Sequence, residues 1–179
     1  KGTVTFYSIS FFLIFLLGKL LLQFPNSYLV CLALFCAIGS TIAEITSSKG
    51  SDNLSIPIIS ILFMIGFVER VAPNESDFFT ILSSPFLIQI LCLALIFYVA
   101  FKLKTLSLDG FLGALIMGVI IILFSPQYFF MLLAIFFILS SVLSKVLKKA
   151  SFYKTKGSER DIIQVYANGG IAFLLSIIY

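Results

Sequence analysis

Residues 108–124, Leu-Asp-Gly-Phe-Leu-Gly-Ala-Leu-Ile-Met-Gly-Val-Ile-Ile-Ile-Leu-Phe, carry one charge, Asp109 at the second position, and are otherwise apolar or small. An alternating strand would show polar residues at every second place, and this run is apolar on all sides. In lipid only a helix or a closed barrel satisfies its own backbone, so the stretch reads as a spanning helix. Gly110, Ala114 and Gly118 recur every four residues and form a small-residue face suited to close helix packing. Six more segments of this kind flank it, at about 4–24, 28–45, 54–71, 79–101, 128–146 and 162–179. Turn residues separate them: Pro25-Asn26-Ser27, Ser47 to Asn53, Pro73-Asn74 and Ser125-Pro126-Gln127. The expectation is an all-α polytopic transmembrane bundle of about seven helices.

Composition agrees. The chain is 60% hydrophobic and 11% charged over 179 residues, with a mean hydropathy of +1.15. Soluble domains hold about 45–50% apolar and about 25% charged residues. The absence of His and Trp excludes an imidazole base, a His-ligated zinc and an axial haem histidine within these residues. The net charge of +4 reads as membrane topology and not as a nucleic-acid footprint. Lys1, Lys49, Lys102, Lys104, Lys145, Lys148, Lys149, Lys154, Lys156 and Arg160 all fall on one side of an alternating map of the spans. Arg70 lies on the other side with Glu69, Glu75 and Asp77. By the positive-inside rule the Lys-rich side is cytoplasmic, as in a bacterial inner membrane. Lys19, late in the first span, is expected to snorkel outward. Cys31, Cys36 and Cys92 sit in apolar runs and read as small buried hydrophobes. The chain starts without Met and ends in an apolar run, which suggests a piece cut from a longer protein.

Several polar residues exceed what topology requires. Glu44 ends the second span on the face carrying Ala33, Ala37 and Thr41, a small-residue stripe that directs it into the bundle or its mouth. Asp52-Asn53 opens the third span after a Ser/Gly-rich loop, where helix capping is the plainer role. Two cytoplasmic carboxylates and a flexible loop also suit Mg²⁺ bound to a nucleotide, since Mg²⁺ takes one or two protein carboxylates and shares phosphate oxygens. In the last span Arg160, Gln164 and Asn168 repeat every four residues, and Asp161 joins that face. Asn168 lies about 10 Å beyond Asp161 along the helix. A polar stripe of that depth is expected to face a partner or a wet cavity. Gly169-Gly170 then weakens the helix or admits another backbone.

Two resemblances follow from these motifs. Lys1-Gly2-Thr3, then Ala43-Glu44, then Asp52-Asn53-Leu54-Ser55-Ile56-Pro57 resembles the C-terminal half of the phytol kinase and dolichol kinase family, related to the CDP-diacylglycerol synthases, over residues about 1–102. It departs at Thr5-Phe6-Tyr7, where that family has Glu-Gly-Ser. The segments Leu106 to Gly118, Ser140-Ser141 with Lys145 and Lys149, and Arg160 to Gly170 are similar to the N-terminal part of the phytyl-phosphate kinase family, an integral membrane domain, over about 103–179. Together they imply a fused kinase phosphorylating a prenyl alcohol and then its monophosphate, with CTP or another nucleoside triphosphate. The implied roles are Glu44 and Asp52 for Mg²⁺, Asn53 and Lys1 beside the nucleotide, and Arg160 on a phosphate. Lys145, Lys149, Asp161, Gln164, Asn168, Gly169 and Gly170 would complete the second site. The implied partners are the bilayer, the prenyl substrate and the nucleotide, with no nucleic acid. Each half lacks part of its family's motifs, so this stretch alone is expected to be inactive. A cytidylyltransferase acting on lipids and a non-enzymatic transporter or scaffold are the alternatives.

Overall fold

The computed structural model describes residues 2–47, 50–71, 78–82, 84–148 and 159–178, with side chains left out at 127, 140, 141 and 143–148. Lys1, Lys49, Lys149, Lys154, Lys156, Glu75 and Asp77 lie outside the described residues, as do the side chains of Ser140, Ser141, Lys145 and Lys148. The described chain is helical: α1 (Gly2–Leu21), α2 (Asn26–Thr46), α3 (Asp52–Arg70), α4 (Phe78–Leu82), α5 (Pro85–Lys102), α6 (Leu108–Phe124), α7 (Gln127–Lys148) and α8 (Ile162–Ile178). The all-α membrane fold read from the sequence therefore stands. Helices α1, α2, α3 and α5 have the length and apolarity to cross a bilayer, and the apolar helices α6 and α8, at 17 residues, are one residue shorter than α5. The span expected over 79–101 is broken, because Pro85 has no N–H to donate and disfavours helical geometry at Ser84. Pro85 instead begins α5, the helix position where a missing N–H costs least. α1 stops at Leu21, three residues before the expected end.

The chain divides into two compact units, Lys1–Gln89 and Ile90–Tyr179. In the first, α2 is the central helix, with Tyr28, Leu32, Ala33, Cys36, Ala37 and Ala43 at 0–1% exposure. The small-residue stripe thus does pack inward: Thr41 is buried as well, and Gly39 takes the ring of Phe63 where a side chain would stand. Phe35 stacks on Phe63 at 4.9 Å between centroids, and Phe67 and Phe86 close the cluster. Tyr28 donates its hydroxyl to the carbonyl of Val71 at 3.1 Å, tying the start of α2 to the end of α3. α1 buries only Gly18 and exposes an apolar surface, as a lipid-facing helix does. Lys19 is exposed as expected and donates from Nζ to Asn26 Oδ1 at the start of α2.

In the second unit α6 is central and buries residues on every side from Ile116 to Leu123. Its expected small-residue face is where neighbours come close. On that face Gly110 lies under the backbone of Arg160 and Gly118 under Leu93 of α5; Gly113, outside the expected face, lies under Ile162. The cysteines separate: Cys36 is buried, Cys31 half-buried and Cys92 exposed on α5, so burial was the wrong expectation for Cys92. The α5 surface around it is apolar and open, with Leu91 and Leu95 exposed alongside.

Candidate functional site

In the first unit the polar residues gather at the α2–α3 turn. The hydroxyls of Thr46 and Ser47 turn back to the carbonyls of Ile42 and Ala43, the second of which the helix end leaves open. Ser47 Oγ also meets Ser55 Oγ at 2.5 Å, which draws the end of α2 to the start of α3. Glu44 and Asp52 each sit three residues before one member of that hydroxyl pair, and both are half-buried. Asp52 does not cap α3: Ser51 takes the N-cap position, its side chain making no capping bond, and Asp52 Oδ1 is buried with no hydrogen-bond partner. Pro57, inside α3, has no N–H for the carbonyl of Asn53 four residues earlier. This turn therefore holds a sequestered carboxylate oxygen and a carbonyl lacking its helical donor. Asn53 itself is exposed. Among the described residues no three acidic or cysteine side chains cluster as a metal cage, and a Mg²⁺ shared with phosphate does not need one.

In the second unit Arg160 is fixed through its backbone. Arg160 N–H donates to the carbonyl of Thr105 at 2.9 Å, and Ser107 N–H donates to the carbonyl of Arg160 at 3.0 Å. These bonds form an isolated parallel bridge between Leu106 and Arg160. Ser107 is also the N-cap of α6, and its Oγ accepts from Gly110 N–H at 3.2 Å. The Ser107 hydroxyl proton has two acceptors in reach, Asp109 Oδ1 and the Arg160 carbonyl. The start of α8 is occupied by carboxylates. Asp161 Oδ1 accepts from Gln164 N–H at 2.8 Å, and Asp109 Oδ2 lies 3.4 Å from Ile162 N–H. A phosphate at this place would therefore meet side chains, because these acids already take helix N–H groups.

Above this clamp the Arg160 guanidinium lies 6.0 Å from the ring centroid of Phe137, a cation–π contact. Arg160 and Asn168 line the same small cavity, about 60 Å³, whose other walls are apolar and include Phe97, Ala114, Phe136 and Phe137. The structure thus brings these two members of the expected stripe to one space. Asp161 serves as a cap, Gln164 is half-buried, and Asn168 stays exposed while reaching the cavity. Gly169 allows close approach to Met117 of α6, whereas a side chain at Gly170 would meet nothing within 4 Å. Sequence reading missed Asp109, Thr105 and Phe137 as parts of this place. Ser107 three residues before Gly110 was a legible capping signal for the first of them. Nothing in the spacing joins Phe137 to Arg160.

Residues 91–179 match the family described as "Integral membrane protein DUF92". That stretch coincides with the second compact unit. No solved structure matches the chain.

Proposed function

We propose that this integral membrane chain carries parts of a phosphotransferase that acts on a prenyl alcohol and on its monophosphate, with CTP or another nucleoside triphosphate as donor, at the cytoplasmic face. The observation that carries the reading is the pairing of Arg160 and Asn168 on one otherwise apolar cavity. An amphiphile with an anionic head and a hydrocarbon chain needs a fixed cation beside apolar walls. The Thr105–Arg160–Ser107 clamp holds the guanidinium's origin, so the side chain loses less freedom when it forks onto a phosphate. Asn168, about 9 Å into α8 from its first residue Ile162, would orient the substrate through its amide.

The donor side of the reading rests on the α2–α3 turn. Asp52 Oδ1, the Asn53 carbonyl and the Glu44 carboxylate are hard oxygens that fit Mg²⁺. When bound, that ion would neutralise charge on the nucleotide phosphates. The chain's own part is to keep Asp52 Oδ1 short of water. Lys145 and Lys149 would add point charges, and Lys1 would stand beside the nucleotide, as the resemblance implies.

In the full-length protein, Glu44→Gln and Asp52→Asn are each expected to lower phosphorylation of the alcohol at least about a hundredfold with membrane insertion intact. Arg160→Ala and Asn168→Ala are expected to lower only the second phosphorylation. Transfer of label from γ-labelled and not α-labelled CTP would separate a kinase from a cytidylyltransferase. Wild-type turnover in the acidic variants, or transfer of the α label, overturns the reading.

A further inference from the structure

Beside the Arg160 cavity, α5 and α7 border a second space of about 400 Å³, lined among others by Leu95, Val99, Leu103, Phe137 and Val142. That volume is in the range of small-molecule sites. From Leu95 to Leu103 it follows α5 for about 12 Å. Leu95, Val99, Leu103 and Val142 remain exposed, so the groove opens sideways, as a site filled from the bilayer must. Phe137 lines both spaces and is the wall they share.

Cationic residues follow the end of this groove along the chain. Thr105 belongs to its lining, and its carbonyl accepts the backbone N–H of Arg160. Lys104 is exposed beside Thr105, and Lys102 holds its ammonium 5.5 Å from the ring centroid of Tyr98. The nearby acids Asp109 and Asp161 are engaged with the Ser107 hydroxyl and the first turn of α8, leaving exposed Glu159 as the remaining acid in these segments.

Lys104 is also conformationally expensive. It has φ +54°, among the described residues the one non-glycine in the left-handed region. The bonds Lys104 N–H to Phe101 carbonyl and Thr105 N–H to Ala100 carbonyl, at 2.9 and 3.0 Å, make this a Schellman ending of α5. Glycine is the ordinary occupant of such a position. A lysine held there against that preference points to use of its charge.

We propose that the α5–α7 groove seats the chain of a membrane-borne, single-chain monophosphate, and that Lys104 shares its headgroup with Arg160. This rests on the reading of Arg160 as a phosphate-binding residue, and adds where the chain lies and which second cation meets the head. Val99 and Val142, on opposite walls, then select for chain length. Each methylene removed from the buried chain weakens binding about fourfold.

The test is binding of geranylgeranyl monophosphate and dimethylallyl monophosphate to the full chain in phosphatidylcholine nanodiscs. Val99→Trp is expected to weaken the long ligand at least about tenfold and leave the short one unchanged. Val142→Trp fills the same space from the other wall should the first variant fail to insert. Lys104→Gly is expected to weaken both ligands about tenfold while thermal stability holds or rises, and Lys104→Arg to restore binding. Unchanged long-chain binding in both tryptophan variants overturns the groove, as does competition by phosphatidate equal to that of the monophosphate, which would make it a boundary-lipid slot. Unchanged binding in Lys104→Gly overturns the headgroup role. Arg160→Ala binding like wild type while Val99→Trp loses the long ligand removes the phosphate reading and leaves the chain site. Failure of the wild-type chain to bind either ligand overturns both.

Discussion

A methyl group on Gly110 would stand 2.2 Å from the carbonyl oxygen of Arg160, and one on Gly169 would stand 2.3 Å from Met117 Sδ. The numbers are alike and the consequences differ. The carbonyl belongs to a backbone held by Ser107, so it has nowhere to go, whereas a thioether at the end of a flexible chain moves aside. Gly110→Ala is therefore expected to destabilise the chain by about 3 kcal/mol and Gly169→Ala by less than about 1 kcal/mol. Thermal unfolding in detergent distinguishes them, and equal losses would contradict the clamp. At this scale the sequence was half legible. A small residue every four positions announced close packing at Gly110, Ala114 and Gly118, because helical period alone puts them on one face. It could not announce that Gly110 meets a backbone carbonyl from a residue far along the chain, nor that Phe137 lies over Arg160.

Among the elements, α3 shows how a local defect becomes a chemical opportunity. Pro57 interrupts the ladder at the Asn53 carbonyl, one residue from the buried oxygen of Asp52. Pro57→Ala restores a donor and is expected to raise thermal stability, by about 1–3 kcal/mol. If the Asn53 carbonyl serves the donor nucleotide as proposed, the same change lowers the first phosphorylation, so melting temperature and activity move in opposite directions. An activity that rises with stability would assign Pro57 to helix shape alone. The break between α4 and α5 is the element that sequence reading lost. Ser84-Pro85 was visible, but it lay inside an apolar run long enough to span, and apolar length outweighed it. Length is set by the bilayer, while the break is set by a missing N–H.

For the whole molecule, the lysine map makes a prediction about sides. In a cysteine-free background, Lys104→Cys is expected to react with an impermeant thiol reagent from the cytoplasmic face and Arg70→Cys from the opposite face. Labelling of both from one face would refute that orientation and remove Lys104 from any cytosolic headgroup. The architecture was readable at this scale because each unit wraps one mostly buried, largely apolar helix, α2 or α6, in helices that turn hydrocarbon side chains outward. The polar sites were less so, since they form where residues distant in sequence meet.

The Ser107–Arg160 contact spans 53 residues of chain. Closing a loop of that length costs roughly 3 kcal/mol or more in chain entropy, comparable to what its few hydrogen bonds return at about 1 kcal/mol each. The seating of Ile162 on Gly113 and of Met117 against Gly169 must supply the remainder. During synthesis the face of α6 bearing Gly110 and Gly113 therefore emerges from the ribosome long before its cover. A translocon or chaperone would have to shelter that face until α8 arrives, and a nascent chain arrested before Arg160 should remain bound to such a helper.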